Sequence, residues 1–205
     1  MAVALLDYNM GNLGSVQKAL KFVDAEVEVV ESAAQLERFN CCILPGVGNF
    51  GDGMEHLRSR GFDRAIPALL NRGGYFFGVC LGMQMLLEAS DEAPGVSGLG
   101  IFKGQVTRFP EGRQKVPHMG WNSVVFEPNC PLGDGLPEES FFYFVHSYYV
   151  PISAEYTAAK CEYIVPFSAC IGDNRCFAAQ FHPEKSQRAG LRMLSNFLSL
   201  AGEVK

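Results

Sequence analysis

Cys80 stands at the centre of Gly78-Val79-Cys80-Leu81-Gly82, a thiol version of the G-x-S-x-G elbow. The pattern carries chemistry because a nucleophile on a tight strand-to-helix turn is held in a strained conformation and pushed outward. Only residues without side chains fit two places before and two after it. A helix beginning under the sulfur would favour its thiolate. The pentapeptide alone fits equally well a cysteine packed at a strand end between two turn glycines. Far downstream, Phe181-His182-Pro183-Glu184 follows a strand-like run. Reactive groups of open α/β sheets gather at strand C-termini, and Pro183 holds His182 extended. His182 can then serve as base toward Cys80, with Glu184 orienting the ring. Taken singly, a turn-capping histidine and a solvated carboxylate explain the same residues; the combination with the elbow points to a thiol hydrolase. Pro45-Gly46-Val47-Gly48 adds a loop whose backbone can approach a ligand closely. The amide of Leu81 and an amide of this loop would form an oxyanion hole, although a plain surface turn reads the same way.

These groups need a scaffold, and the first half of the chain supplies the pattern of one. Ala2–Leu6, Val27–Val30, Cys41–Leu44 and Tyr75–Val79 are short apolar runs, as expected of strands covered on both faces. Between them lie helical spacings at Leu13–Phe22, Ala33–Phe39 and Phe62–Leu70, with a break over Pro45–Gly53; Leu81–Glu88 reads as the helix after the elbow. Alternating strand and helix units predict an α/β fold with a mostly parallel central sheet and flanking helices. The second half offers strand-like runs at 104–108, 123–126, 141–150, 157–164 and 176–181, expected as antiparallel additions, and an amphipathic helix over 188–200. With no repeat and no linker, residues 1–205 are expected to form one domain.

Composition narrows the class further. The net charge is −5 and no basic block occurs, which argues against nucleic acid and anionic membranes as partners. The opening apolar run stops at Asp7, too short for a signal or a membrane span. Seven cysteines without a framework suit reduced thiols in a cytoplasmic protein. None of the four histidines lies at metal-ligand spacing to a cysteine pair, so no metal and no organic cofactor is called for.

The segments G-V-C-L-G-M-Q at 78–84 and F-H-P-E at 181–184 resemble those of the class I (triad) glutamine amidotransferases. Gly11-Asn12, P-G-V-G at 45–48, P-H-M-G-W-N at 117–122, Y-F-V-H-S-Y at 143–148 and H-P-E-K-S at 182–186 are similar to one branch of that family, the glutaminase subunits of imidazole glycerol phosphate synthase in histidine biosynthesis. The resemblance spans nearly the whole chain. It implies that Cys80 attacks the carboxamide of L-glutamine and that His182 protonates the departing ammonia. Val47 and Leu81 would then cradle the oxyanion, while Gly48, Gln84, His146, Ser147 and Tyr148 hold the substrate. It further implies a heterodimer with a cyclase subunit built as a (β/α)8 barrel, which receives the ammonia, and a docking face of Asn12, Ser15, Met119, Trp121, Tyr143 and Lys185. Gly120 and Asn122 suggest that Met119 and Trp121 lie on an exposed loop, where such residues are apt anchors. The resemblance also implies low activity until the liganded partner turns a peptide of the 46–48 loop. His56 and His118 have no partner that the sequence reveals. Rival readings are a glutaminase for another acceptor, a binding protein with a decayed site, and a cysteine peptidase of similar architecture.

Overall fold

The computed structural model describes residues 2–112 and 114–203. Strands β1 (Val3–Leu6), β2 (Val27–Val30), β3 (Cys41–Leu44) and β4 (Tyr75–Val79) lie parallel, joined by helices α1 (Leu13–Phe22), α2 (Ala33–Leu36), α3 (Phe50–Ser59) and α4 (Phe62–Asn71). After β4 come helix α5 (Leu81–Gln84), strands β5 (Ala89–Ser90), β6 (Gln105–Arg108), β7 (His118–Phe126), β8 (Glu139–His146), β9 (Tyr148–Tyr149), β10 (Thr157–Glu162), β11 (Pro166–Asp173) and β12 (Cys176–Ala179), and helix α6 (Gln187–Leu200). Nine strands form one sheet in the order β2-β1-β3-β4-β12-β11-β10-β7-β8; β5, β6 and β9 make a small second one.

The strands of the parallel half are buried on both faces because successive side chains alternate between two apolar layers. Val3, Leu5, Cys41, Ile43, Phe77 and Val79 pack on Val16 and Leu20 of α1 and Met193 and Phe197 of α6. Ala4, Leu6, Cys42, Leu44 and Phe76 pack on Met54 and Leu57 of α3 and Ile66 and Leu69 of α4.

Several expectations are corrected. β12 is not an antiparallel addition: it runs parallel to β4, Phe177 opposite Phe77 and Ala179 opposite Val79, and only β11 beyond it reverses direction. That puts the strand before His182 beside the strand before Cys80. The break over 45–53 hides the start of α3, whose glycines are packing residues: a Cβ on Gly53 would stand 2.9 Å from Leu81 Cδ2. Asn49 caps this helix, its side chain accepting from the Asp52 amide at 2.9 Å. α5 is a single turn and not a helix to Glu88, because the amides of Leu99, Gly100 and Ile101 take the carbonyls of Met85, Leu87 and Leu86 that further helix would need. β11 joins the core where no strand was expected. Residues 118–122 are the start of β7, not a loop.

Candidate active site

The nucleophile position is built by steric exclusion. Cys80 sits at φ +54°, ψ −105°, outside the regions open to ordinary L-residues. A Cβ on Gly78 would meet the Gly82 carbonyl oxygen at 2.7 Å, and one on Gly82 would meet the Leu44 carbonyl oxygen at 2.3 Å. The strained residue is held by its own backbone: the Cys80 amide donates to Ala179 O at 2.8 Å, and the amides of Met83 and Gln84 donate to Cys80 O at 3.0 and 3.2 Å. With α5 only one turn long, its dipole is a weaker influence on the thiol than a full helix would be.

The strand register delivers the partner. β12 ends level with β4, and its continuation places His182 over the elbow. His182 Nδ1 lies 2.8 Å from Glu184 Oε1, with side-chain exposures of only 2% and 1%, so Glu184 is no solvated carboxylate. His182 Nε2 is buried without a hydrogen bond of full geometry, and the Cys80 thiol is close enough to act on it. Burial alone lowers the affinity of the ring for a proton, but interaction with Cys80 and then Glu184 outweighs it and raises the pKa well above the ordinary histidine range. Ser186 ties the turn down: its Oγ donates to His182 O at 2.6 Å and accepts from the Tyr143 amide at 3.0 Å. The His182 amide donates to Tyr143 O at 2.9 Å.

The 45–48 loop lies against the elbow. A Cβ on Gly46 would stand 2.7 Å from Leu81 Cβ and 2.8 Å from the Tyr8 hydroxyl, while Gly48 adopts φ +102°, which glycine alone takes at little cost. A cavity of about 440 Å3 opens here, and nine of the residues singled out from sequence line it: Val47, Gly48, Cys80, Leu81, Gln84, His146, Ser147, Tyr148 and His182. Glu184 stands behind His182 and does not line it.

Sequence reasoning missed several neighbours. Gln180 donates to Cys80 Sγ at 3.7 Å and accepts from Gln84 Nε2 at 3.1 Å; its one signal was a polar residue inside an apolar strand end. The Tyr8 hydroxyl is buried with no hydrogen-bond partner among the described residues, and nothing in its surroundings along the chain marks it. Glu92, which accepts from the Phe50 amide at 2.8 Å, and Val145 also line the cavity. His118, whose partner the sequence does not reveal, is bonded to His146.

The six residues expected at a docking face lie at the start of α1, on β7 and β8, and in the Pro183–Lys185 turn. Met119 is 63% and Trp121 47% exposed on β7. Trp121 pairs with Tyr143 across the strands, edge to face at 6.1 Å, and the ammonium of Lys185 lies 5.8 Å from the Tyr143 ring centre. Asn12 caps α1 by accepting from the Ser15 amide at 3.3 Å, and α1 packs against the same turn. No cluster of three or more His, Cys, Asp or Glu among the described residues could hold a metal ion, and no helix among them is long and apolar enough to cross a membrane.

Residues 4–200 match the family Glutamine amidotransferase class-I. The chain belongs to the class-I glutamine amidotransferases. Among its relatives in that family, the imidazole glycerol phosphate synthase subunit HisH of Desulfitobacterium hafniense is 46% identical over 196 residues, covering 95% of this chain and 92% of that one. The subunit of the same name from Methanocaldococcus jannaschii is 44% identical over 198 residues, covering 97% and 99%. Solved structures agree in fold: a glutamine amidotransferase superimposes with a TM-score of 0.77 at 23% identity over 98% of this chain and all of that one. PurLQS from Thermotoga maritima gives 0.77 at 20% identity over 97% of each.

Proposed function

We propose that this amidotransferase is the glutaminase subunit of an imidazole glycerol phosphate synthase, acting as one unit over its length. The observation that carries the chemistry is the buried Cys80–His182–Glu184 alignment at one end of a cavity. Near-full-length identity to the synthase subunits supports the choice of acceptor pathway. Cys80, as thiolate, attacks the carboxamide carbon of L-glutamine, and the carbonyl electrons move onto oxygen. The amides of Leu81 and Val47 receive that charge, each donor being worth roughly 10²–10³ in rate. As the tetrahedral species collapses, the carbon–nitrogen bond breaks and His182 Nε2 gives its proton to the leaving amine, releasing ammonia. Water then attacks the thioester with His182 as base, and glutamate leaves with the thiol restored.

Gly48, Gln84 and the Ser147–Tyr148 wall hold the amino-acid end of the substrate. Because both ring nitrogens of His146 are engaged within the protein, its contribution to the wall is through the backbone. Ammonia passes to a cyclase subunit, a (β/α)8 barrel, that docks on Met119, Trp121, Tyr143, Lys185, Asn12 and Ser15 beside the site. There it yields imidazole glycerol phosphate and an aminoimidazole carboxamide ribotide. The half-exposed Trp121, against Tyr143, has the character of a central anchor. A thiol nucleophile of this kind suits the reducing cytoplasm. The loop glycines let the Gly46–Val47 peptide turn, which makes it the element through which a liganded partner raises activity.

The test is ammonia release from glutamine by the pure chain, alone and with a cyclase subunit and its ligand. Low activity alone, a strong rise with the liganded partner and none in Cys80→Ala is the expected result. Full activity in isolation would remove the partner gating, and inertness in every combination would overturn the pathway assignment.

A further inference from the structure

His118 on β7 and His146 on β8 face each other in register, both buried, at 3% and 6% exposure. His118 Nδ1 lies 3.0 Å from His146 Nε2. The protons between them are dictated from the two ends of the network. The Tyr148 carbonyl can only accept, and it stands 2.7 Å from His146 Nδ1, so that nitrogen carries hydrogen. In the neutral ring Nε2 is then the acceptor, and His118 must donate from Nδ1. This leaves His118 Nε2 as an acceptor, 3.3 Å from Asn122 Nδ2. The Asn122 amide is oriented independently: Nδ2 donates to Glu162 O at 2.9 Å, and Oδ1 accepts from the Ser123 amide at 2.8 Å. Tyr163 and Phe144 stack against the His118 ring at 4.0 and 4.7 Å, with Phe109 and Phe167 at its edges. Burial in this aromatic box holds His118 down to about 4 and His146 to about 3, so both rings are neutral near pH 7.

The network ends at the cavity. The Tyr148 carbonyl receives a second donation, from Gln84 Nε2 at 3.1 Å, so both of its lone pairs are engaged. The other hydrogen of Gln84 Nε2 goes to Gln180 Oε1, whose amide nitrogen donates to Cys80 Sγ. Ser147 and Tyr148 line the cavity; His118 does not. We infer that His118 is a positioning residue for substrate binding: by donating to His146 Nε2 it sets the tautomer with which His146 clamps the Tyr148 carbonyl, and so fixes the Ser147–Tyr148 wall. The inference rests on the reading of this cavity as the glutamine site. Its effect falls on substrate capture and not on the bond-making step, since neither ring touches Cys80 or His182.

Two substitutions and one spectroscopic measurement test it. His118→Leu removes the donor, whereas His118→Asn places an amide N–H near the position of Nδ1. In the complex with its liganded cyclase partner, His118→Leu raises KM for glutamine about tenfold, the value of one buried hydrogen bond, with kcat within about twofold of wild type. His118→Asn recovers most of that loss. Alkylation of Cys80 by a glutamine-like diazoketone slows in parallel. Nitrogen-15 spectra of the histidine rings show both His118 and His146 as Nδ1–H tautomers, the form less favoured by free histidine. A native KM in His118→Leu, equal impairment in the Leu and Asn variants, or an Nε2–H tautomer at His118 would each overturn the role. If His118→Leu fails to fold, the Asn variant and the tautomers decide. The spectra do not depend on glutamine, so correct tautomers in a chain that hydrolyses no glutamine would sink the functional reading and leave the clamp standing.

Discussion

Two histidine pairings lie at strand ends of the same sheet, one after β12 and one across β7 and β8, and burial acts on both in the same direction. His182 backs onto the Glu184 carboxylate and faces Cys80, and its affinity for a proton is raised. His146 backs onto a carbonyl and faces a second imidazole, and its affinity is lowered to about 3. The neighbours decide the outcome: the Cys80 thiol together with a carboxylate at 2.8 Å overcomes desolvation, whereas a neutral acceptor at 2.7 Å does not. One pair is therefore suited to moving protons, the other to holding backbone.

The contrast is broken most severely at Cys80. Cys80→Ala should abolish glutamine hydrolysis, a loss of roughly 10⁴-fold or more. It should also let the His182 titration fall toward the ordinary range, since the largest influence raising it is gone; an NMR titration of the ring in the variant would show this. Glu184→Gln makes the catalytic pair more like the neutral one. There kcat should fall by roughly 10²–10⁴ with little change in KM, and the His182 pKa should drop, because a carboxylate that stabilises the cation is replaced by an amide.

A smaller effect concerns stability. The folded pKa values of His118 and His146 lie below those of the unfolded chain, so the unfolded state binds more protons as pH falls below about 6.5. Stability from the neutral pair is present above that pH and is lost toward pH 3, by roughly 2 kcal/mol for His146 alone between pH 6.5 and 5. Urea midpoints against pH should show this acid slope, reduced in His146→Asn. His182 behaves oppositely: its raised pKa gives stability that is complete below about pH 6.5 and is lost as pH rises toward the folded value. The smallest effect is expected at Ser186→Ala, which removes the hydroxyl between His182 O and the Tyr143 amide; kcat should fall about fivefold, matching one modest hydrogen bond.

The parallel half was readable because its strands are short apolar runs bounded by turns, and β2, β3 and β4 have the bounds expected from the residues alone. The elbow, its base and its carboxylate were equally plain, since each is a local pattern. Gly51 and Gly53, in contrast, looked like chain breakers along the sequence and turn out to lie inside α3, where Gly53 is a contact surface for Leu81 and Met85, a reason visible only across elements. β11 has both faces covered and so shows no alternation to distinguish it. The roles of Gln180 and His118 depend on Gln84 and His146, which lie 96 and 28 positions away along the chain, beyond the reach of any spacing rule.

The sheet order has a consequence for how the protein comes into being. β12 is the last strand to be synthesised, yet it occupies the middle of the sheet between β4 and β11. A growing chain that has already made Cys80 has an open gap where the base belongs, and pairing across so many residues is slow to form. The reactive sulfur thus stays without its base until residues 176–184 have been made, and only α6, which follows, is then left to cover that face of the sheet with Met193 and Phe197.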